Sequence, residues 1–211
     1  CFQPSDTSRV ISTAPDRQSC GLPNDKPVLA SFNNSYKFSP ESLELWLDIL
    51  IACPSAVLWL LLSDGVAEAA TRLRQHAAQR GVAAERLIFM PKLPHDDYLS
   101  RFAHVDLFLD TTPYGAHTTA SDALWAGCPV LTCPGETFAS RVAGSLLHTL
   151  GVPELIAKDA DDYRNRAIRL IRSPSHLTHL RSRLAQQRNS SPLFDMQRFA
   201  EGFANTLQSL R

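Results

Sequence analysis

Residues 106–127, DLFLDTTPYGAHTTASDALWAG, read as a strand, a turn-rich bridge and the start of a helix. Leu107, Phe108 and Leu109 are the apolar strand, Pro113 and Gly115 punctuate the bridge, and the helix opens within His117, Thr118, Thr119, Ala120, Ser121 and Asp122. The first amides of a helix have no intrahelical partners and sit at the positive end of its dipole, so a helix start placed just beyond a strand suits an anion. Taken alone, the run also reads as an ordinary capped helix, with Thr118 or Thr119 as N-cap and Asp122 as a first-turn acid. The surrounding chain decides between the two.

From residue 27 onward, short apolar runs alternate with helical patterns, which predicts an α/β fold: a Rossmann-like parallel sheet with helices on both faces. Strands are expected over 28–32, 57–62, 86–90, 106–109 and 129–133, with a short sixth over 155–157. Helices are expected over 40–53, 66–80, 96–103, 117–127 and 137–150, the first opened by Pro40 and stopped by Pro54, the last ended by Gly151 and Pro153. Beyond residue 158 the pattern is helical only, over 161–172, 175–188 and 195–210. The last of these is apolar at Phe199, Phe203 and Leu207, and is expected to pack on the sheet or reach across to another lobe. The domain reading is thus an irregular lead-in over 1–26, a nucleotide-binding lobe over 27–190 and a terminal helix over 191–211. The lead-in starts with Cys1 rather than methionine, and we expect further sequence upstream of it.

The chain has 211 residues, 44% hydrophobic and 20% charged, with 21 basic and 21 acidic side chains. A balanced charge provides no field for nucleic acid or an anionic membrane, and no apolar run nears the roughly 20 residues that span a bilayer. A cytoplasmic protein with neither partner is expected. Cys1, Cys20, Cys53, Cys128 and Cys133 form no C-x-x-C pair, so the sequence indicates neither zinc nor a disulfide framework.

In open parallel sheets ligands sit beyond the carboxyl ends of the strands, so chemistry is sought in the loops that follow them. After the first strand come Asn33, Asn34 and Lys37; after the third, Lys92, Leu93, His95, Tyr98 and Arg101; after the fourth, the run from His117 to Asp122; after the fifth, Gly135 and Glu136. Together they offer cationic groups, an aromatic face, backbone amides and a helix dipole, a set that suits a diphosphate joined to a ribose and a base. Singly, each is ordinary: Lys37 and Arg101 as solvated cations, Tyr98 as packing. G-x-G-x-x-G, the P-loop and the G-x-S-x-G elbow are all absent, which removes dehydrogenase, P-loop and serine-esterase readings. Asp159-Ala160-Asp161 has the D-x-D spacing of metal-dependent sugar transferases, but reads better as acids at a helix start.

Several longer runs point to a family. They are Ser31-Phe32-Asn33-Asn34 with Lys37 and Pro40, Val57-Leu58-Trp59-Leu60-Leu61, Arg86-Leu87-Ile88-Phe89, residues 106–127, Pro134-Gly135-Glu136-Thr137 with Ala139-Ser140-Arg141-Val142-Ala143, Glu154-Leu155-Ile156-Ala157, and Ser191-Pro192-Leu193-Phe194. In these the chain resembles the catalytic region of the O-linked N-acetylglucosamine transferase family, including its bacterial and plant SPINDLY-like relatives. The resemblance implies the carboxyl-terminal lobe of a two-lobed GT-B glycosyltransferase, with the amino-terminal lobe and helical repeats lying outside this sequence. It implies a UDP-N-acetylglucosamine donor, a Ser/Thr-containing protein acceptor, and no cofactor or metal, the UDP-sugar being the substrate. UDP-glucose or GDP-fucose as donor, or a nucleotide-binding module inactive without its other lobe, are the alternatives.

By the same resemblance, Lys37 and the His117, Thr118, Thr119 run contact the diphosphate, Lys37 and His117 being the catalytic candidates. Asp122 reaches the ribose, Lys92, Leu93 and His95 hold uracil and ribose, Tyr98 and Arg101 flank the base, and Asn34 lies nearby. The sequence departs from the animal enzymes in showing Asn34 for glutamine, His95 for lysine and Tyr98 for histidine.

Overall fold

The computed structural model describes residues 7–62 and 67–210; Cys1 and Val66, the expected start of the second helix, lie outside them. Five parallel strands, β1 (Val28–Ser31), β2 (Val57–Leu61), β3 (Leu87–Met90), β4 (Leu107–Leu109) and β5 (Val130–Leu131), form one sheet in the order β3-β2-β1-β4-β5. Parallel neighbours need crossover connections, and helices supply them: α1 (Pro40–Ala52), α2 (Ala67–Gln79), α3 (His95–Arg101) and α4 (Thr118–Trp125). Successive side chains of a strand point to opposite faces, and Val28, Leu29, Ala30 and Ser31 are all fully buried, so both faces of the sheet are covered.

Burial explains the elements. Leu58, Leu60, Leu107, Phe108, Leu109, Val130 and Leu131 are inaccessible, as the unbroken apolar runs of a two-sided core require. Trp46, Ile49 and Leu50 turn α1 inward, where it packs on α6 (Ala160–Ile171), while α4 packs on α5 (Phe138–Thr149). α7 (Pro174–Gln187) follows α6 and packs on it. Asp159 is the N-cap of α6, its carboxylate accepting from the Asp162 amide at 2.8 Å, so the D-x-D spacing serves a helix start here.

One feature differs from the sequence expectations and two narrow them. The sixth strand is a single parallel bridge between Thr132 and Ile156, because Pro153 opens a 3-10 turn, Pro153–Leu155, where the extended run was expected. α8 (Met196–Ser209) has no buried residue: Phe199, Phe203 and Leu207 are 39%, 57% and 51% exposed, so its apolar face does not rest on the described lobe. The lead-in is irregular apart from a 3-10 turn, Gln18–Cys20, yet it is fastened to the lobe: Leu22 is buried, the Ser12 amide donates to the Asp96 carbonyl at 3.3 Å, and His104 Nε2 donates to the Pro15 carbonyl at 2.7 Å. Among the described residues no helix is long and apolar enough to cross a membrane.

Candidate functional site

The strand order fixes where a ligand fits. From β1 the chain winds outward through β2 to β3, then returns to place β4 on the other side of β1, so the crossovers diverge between β1 and β4. At such a switch point the loops leave the sheet in opposite directions and open a crevice beyond the carboxyl ends of the strands. The loops after β1 and β4 form its walls and are joined across it. Ser42 Oγ, in the first turn of α1, accepts from the Thr112 amide at 2.9 Å, and Lys37 Nζ donates to the Gly115 carbonyl at 2.9 Å.

Asp110, the residue that ends β4, organises this region. Its side chain is buried and accepts from the amides of Thr111 (2.8 Å) and Ala116 (2.6 Å), from Thr132 Oγ1 (2.7 Å) and from Asn33 Nδ2 (3.3 Å). Burial pushes its carboxyl up, and these donors, Thr132 first, hold it back down. The loop thus closes on a side chain rather than on its own backbone. Gly115 is where the loop passes closest: a Cβ there would meet Asp110 Oδ2 at 3.1 Å and the Ala139 carbonyl at 3.3 Å, so a larger residue would need these neighbours to shift by a few tenths of an ångström.

The loop delivers the start of α4. His117 occupies the N-cap position and makes no side-chain cap bond, so neither Thr118 nor Thr119 is the cap: both are helical residues whose amides face the end of the helix. Gly127, at φ +74°, terminates α4, with the Cys128 amide returning to the Ala123 carbonyl at 2.8 Å. His117 Nε2 donates to the Ala139 carbonyl at 3.1 Å, which ties the helix start to α5.

A cleft of about 420 Å³ opens before this helix. Its walls bring together Asn34 from the β1 loop, Lys92, Leu93, His95 and Tyr98 from the β3 loop and α3, and Thr118, Thr119 and Asp122 from α4, with Phe32 and Leu61 beneath. Tyr98 stands edge-on to Phe32 and Phe102, and its ring lies 6.1 Å from that of His95 at 21°, so the two make a nearly parallel pair on one wall. Burial, and then the charge of Asp122, hold the Tyr98 phenol well above its ordinary value, which leaves a neutral ring at working pH.

Three expected residues stand outside that lining. Lys37 follows Asn34 in the β1 loop, its half-buried ammonium 3.9 Å from the Tyr114 ring centroid; desolvation lowers its pKa and the charge of Asp110 opposes the shift. His117 marks the helix start. Arg101 points to the lead-in, donating to Cys20 Sγ at 3.1 Å.

Two residues that the sequence reading did not single out shape the site. Asp110 reads locally as the polar end of a strand, followed by a turn. Arg9, in the lead-in, pairs with Asp122 across 113 positions, its Nη1 2.6 Å from Oδ1. Only the first has a local signal, an acid between a buried strand and a Pro/Gly bridge.

Known proteins resemble this chain over most of its length. A model described as glycosyl transferase family 41 matches residues 5–203. A UDP-N-acetylglucosamine--peptide N-acetylglucosaminyltransferase of Caenorhabditis elegans is 37% identical over 88% of the chain and 16% of its own length. A probable UDP-N-acetylglucosamine--peptide N-acetylglucosaminyltransferase SPINDLY of Petunia hybrida is 32% identical over the whole chain and 22% of its own length. The chain therefore spans about a fifth of the curated relatives it matches. Among solved structures, an O-GlcNAc transferase of Thermobaculum terrenum superposes with a TM-score of 0.78 at 33% identity, over 92% of this chain and 35% of that one. Sucrose-phosphate synthase of Thermosynechococcus elongatus shares the fold, with a TM-score of 0.70 at 17% identity over 98% of this chain and 51% of its own.

Proposed function

Because the chain belongs to glycosyl transferase family 41, we propose that it forms the carboxyl-terminal, donor-binding lobe of a UDP-N-acetylglucosamine-dependent protein O-glycosyltransferase. The observation that carries this reading is the switch-point cleft, where eight of the residues expected to hold a nucleotide-sugar line one space in front of a helix start without a side-chain cap. In it the diphosphate lies against the Thr118 and Thr119 amides and the Lys37 ammonium, the ribose against Asp122 and His95, and the base between Lys92, Leu93 and the Tyr98 ring.

The chemistry is the transfer of a sugar to a Ser or Thr hydroxyl. As the acceptor oxygen bonds to the anomeric carbon and the bond to the β-phosphate oxygen breaks, negative charge grows on the departing UDP, and groups aimed at that charge lower the barrier. Lys37 carries three donors, of which one goes to the Gly115 carbonyl while the ammonium also lies over the Tyr114 ring, and the α4 dipole adds partial positive charge. These groups act without a metal, and a single displacement of this kind inverts the anomeric centre. The general base and the acceptor contacts are assigned to the amino-terminal lobe and to the acceptor itself. The exposed apolar face of α8 is assigned to contact with that lobe. A reducing, cytoplasmic setting is supported by the free thiols of Cys20, Cys53, Cys128 and Cys133.

The test is calorimetry of the intact protein with UDP, GDP, UDP-N-acetylglucosamine and UDP-glucose, followed by a peptide glycosylation assay. Selective binding of UDP and its N-acetylglucosamine conjugate, with transfer to peptide, is the expected result. Preference for GDP would reassign the donor, and absence of binding to every nucleotide would overturn the reading.

A further inference from the structure

We propose that Arg9 is a positioning residue of the donor site, holding the Asp122 carboxylate so that one oxygen is presented to the ribose hydroxyls, and that the lead-in segment is by this contact part of the site. The proposal rests on the nucleotide-sugar reading of the cleft given above.

The two oxygens of Asp122 have different partners. Oδ1 receives Arg9 Nη1 at 2.6 Å, on the inner side, where the two side chains are 10% and 6% exposed. Oδ2 lies 3.4 Å from Nε2 of His95, a half-exposed ring on the wall of the cleft. The same Arg9 nitrogen reaches Ser121 Oγ at 3.4 Å.

Arg9 is itself fixed by Trp125 at two points. The indole Nε1 donates to the Arg9 carbonyl at 3.1 Å, and the guanidinium carbon lies 5.1 Å from the indole ring centroid and 5.9 Å from that of Phe194. A planar, stacked guanidinium on a tethered backbone has little freedom to lose when it orients a carboxylate.

A carboxylate this buried is costly unless a cation and hydrogen bonds compensate it. Arg9 supplies both from behind and leaves the front oxygen as a charged acceptor of fixed direction. Hydrogen bonds to a charged acceptor contribute more than neutral ones, so a ribose hydroxyl that meets Oδ2 gains from the order Arg9 imposes. Arg9 does not touch the nucleotide in this arrangement; it acts through Asp122.

The experiment compares UDP with 2′,3′-dideoxy-UDP by calorimetry on the intact wild-type protein and on its Arg9→Gln and Arg9→Lys variants. The wild type prefers UDP by about tenfold or more, the worth of hydrogen bonds to a charged acceptor. Arg9→Gln lowers the preference to about twofold by weakening UDP while leaving the dideoxy affinity nearly unchanged, and Arg9→Lys, which keeps the charge but neither the fork nor the stack, falls between. A purely structural role weakens both nucleotides alike, and an unchanged preference in Arg9→Gln overturns the proposal. If Arg9→Gln shows no cooperative melt, Arg9→Lys decides: a preference below wild type supports the proposal, and one equal to it overturns it. A wild type that binds both nucleotides equally overturns this proposal alone, whereas one that binds neither overturns the nucleotide-sugar reading beneath it.

Discussion

A cavity opens at the amino-terminal ends of the strands and another at their carboxyl ends, and the two are built differently. At the amino-terminal edge, about 300 Å³ is lined by Arg17, Lys26, Asp106 and Arg181 among others. Its arginines are spent on the protein: Arg17 Nη1 donates to the carbonyls of Pro23 (3.1 Å) and Lys26 (2.8 Å), and Arg181 to those of Gly127 and Phe102, each at 3.4 Å. At the carboxyl edge, among the described residues, Lys37 donates one hydrogen bond, to the Gly115 carbonyl, and α4 starts without a side-chain cap. Of the other helices, α1 closes its start through Ser39 to the Ser42 amide and α5 through Thr137 to the Ser140 amide, whereas α3 and α7, the latter beside the amino-terminal cavity, likewise begin without a side-chain cap, so it is the place at the switch point that sets α4 apart. Positive charge alone does not favour a ligand, and the proposed site is distinguished by its place at the switch point.

The comparison breaks most visibly at Lys37. We expect Lys37→Ala in the intact protein to cut sugar transfer by about 10²-fold or more, the cost typical of losing one electrostatic contact to a developing oxyanion. Steady-state rates near wild type would remove Lys37 from the diphosphate. Asp110 comes next, because it holds the loop that delivers both Gly115 and α4. Asp110→Asn replaces an acceptor of four donors by a group with one carbonyl oxygen and an NH2 of its own, and is expected to cost about 2 kcal/mol in denaturant unfolding and to weaken UDP as well. A variant as stable as wild type with unaltered UDP affinity would show that the loop is held by other contacts.

A smaller effect sharpens the same contrast through pH. Desolvation lowers the Lys37 pKa from the ordinary 10.5, so its ammonium is lost at lower pH than that of a surface lysine. Affinity for UDP should therefore decline on the alkaline side before the ordinary lysine range, and Lys37→Arg should remove that decline, since arginine stays protonated there. Calorimetry across the alkaline range reads this directly; an identical decline in Lys37→Arg assigns it to another group. The smallest effect belongs to the opposite edge. Arg181→Gln is expected to change UDP affinity by less than about twofold, within the scatter of a site not in contact, and a large loss there would undo the distinction between the two cavities.

Much of this architecture was legible from local pattern. Runs such as Val57-Leu58-Trp59-Leu60-Leu61 are apolar on both faces because both faces are buried, and Pro40 and Gly127 mark helix ends by their own backbone restrictions. The short run at Leu155-Ile156-Ala157 misled because Pro153 turns the chain before it extends, and only the Thr132 bridge survives. The helix over Met196–Ser209 was legible, but a partner for its apolar face is not among the described residues of the lobe. Within the cleft, residues close in sequence to strand ends were legible, since topology alone carries them to the carboxyl edge. Arg9 and Asp110 were not, because their roles come from contacts with residues as far as 113 and 77 positions away, which no periodicity encodes. Arg101 shows the converse: the resemblance put it beside the base, while the folded lead-in draws it to Cys20.

The central claim is that the start of α4 and Lys37 form the diphosphate cradle, and a crystal structure of the intact protein with UDP bound tests it most directly. The account predicts the diphosphate oxygens within hydrogen-bond distance of Lys37 Nζ and of the Thr119 amide. UDP seated at the amino-terminal edge beside Arg17 and Arg181, or held in the cleft with neither Lys37 nor Thr119 on its phosphates, would contradict it.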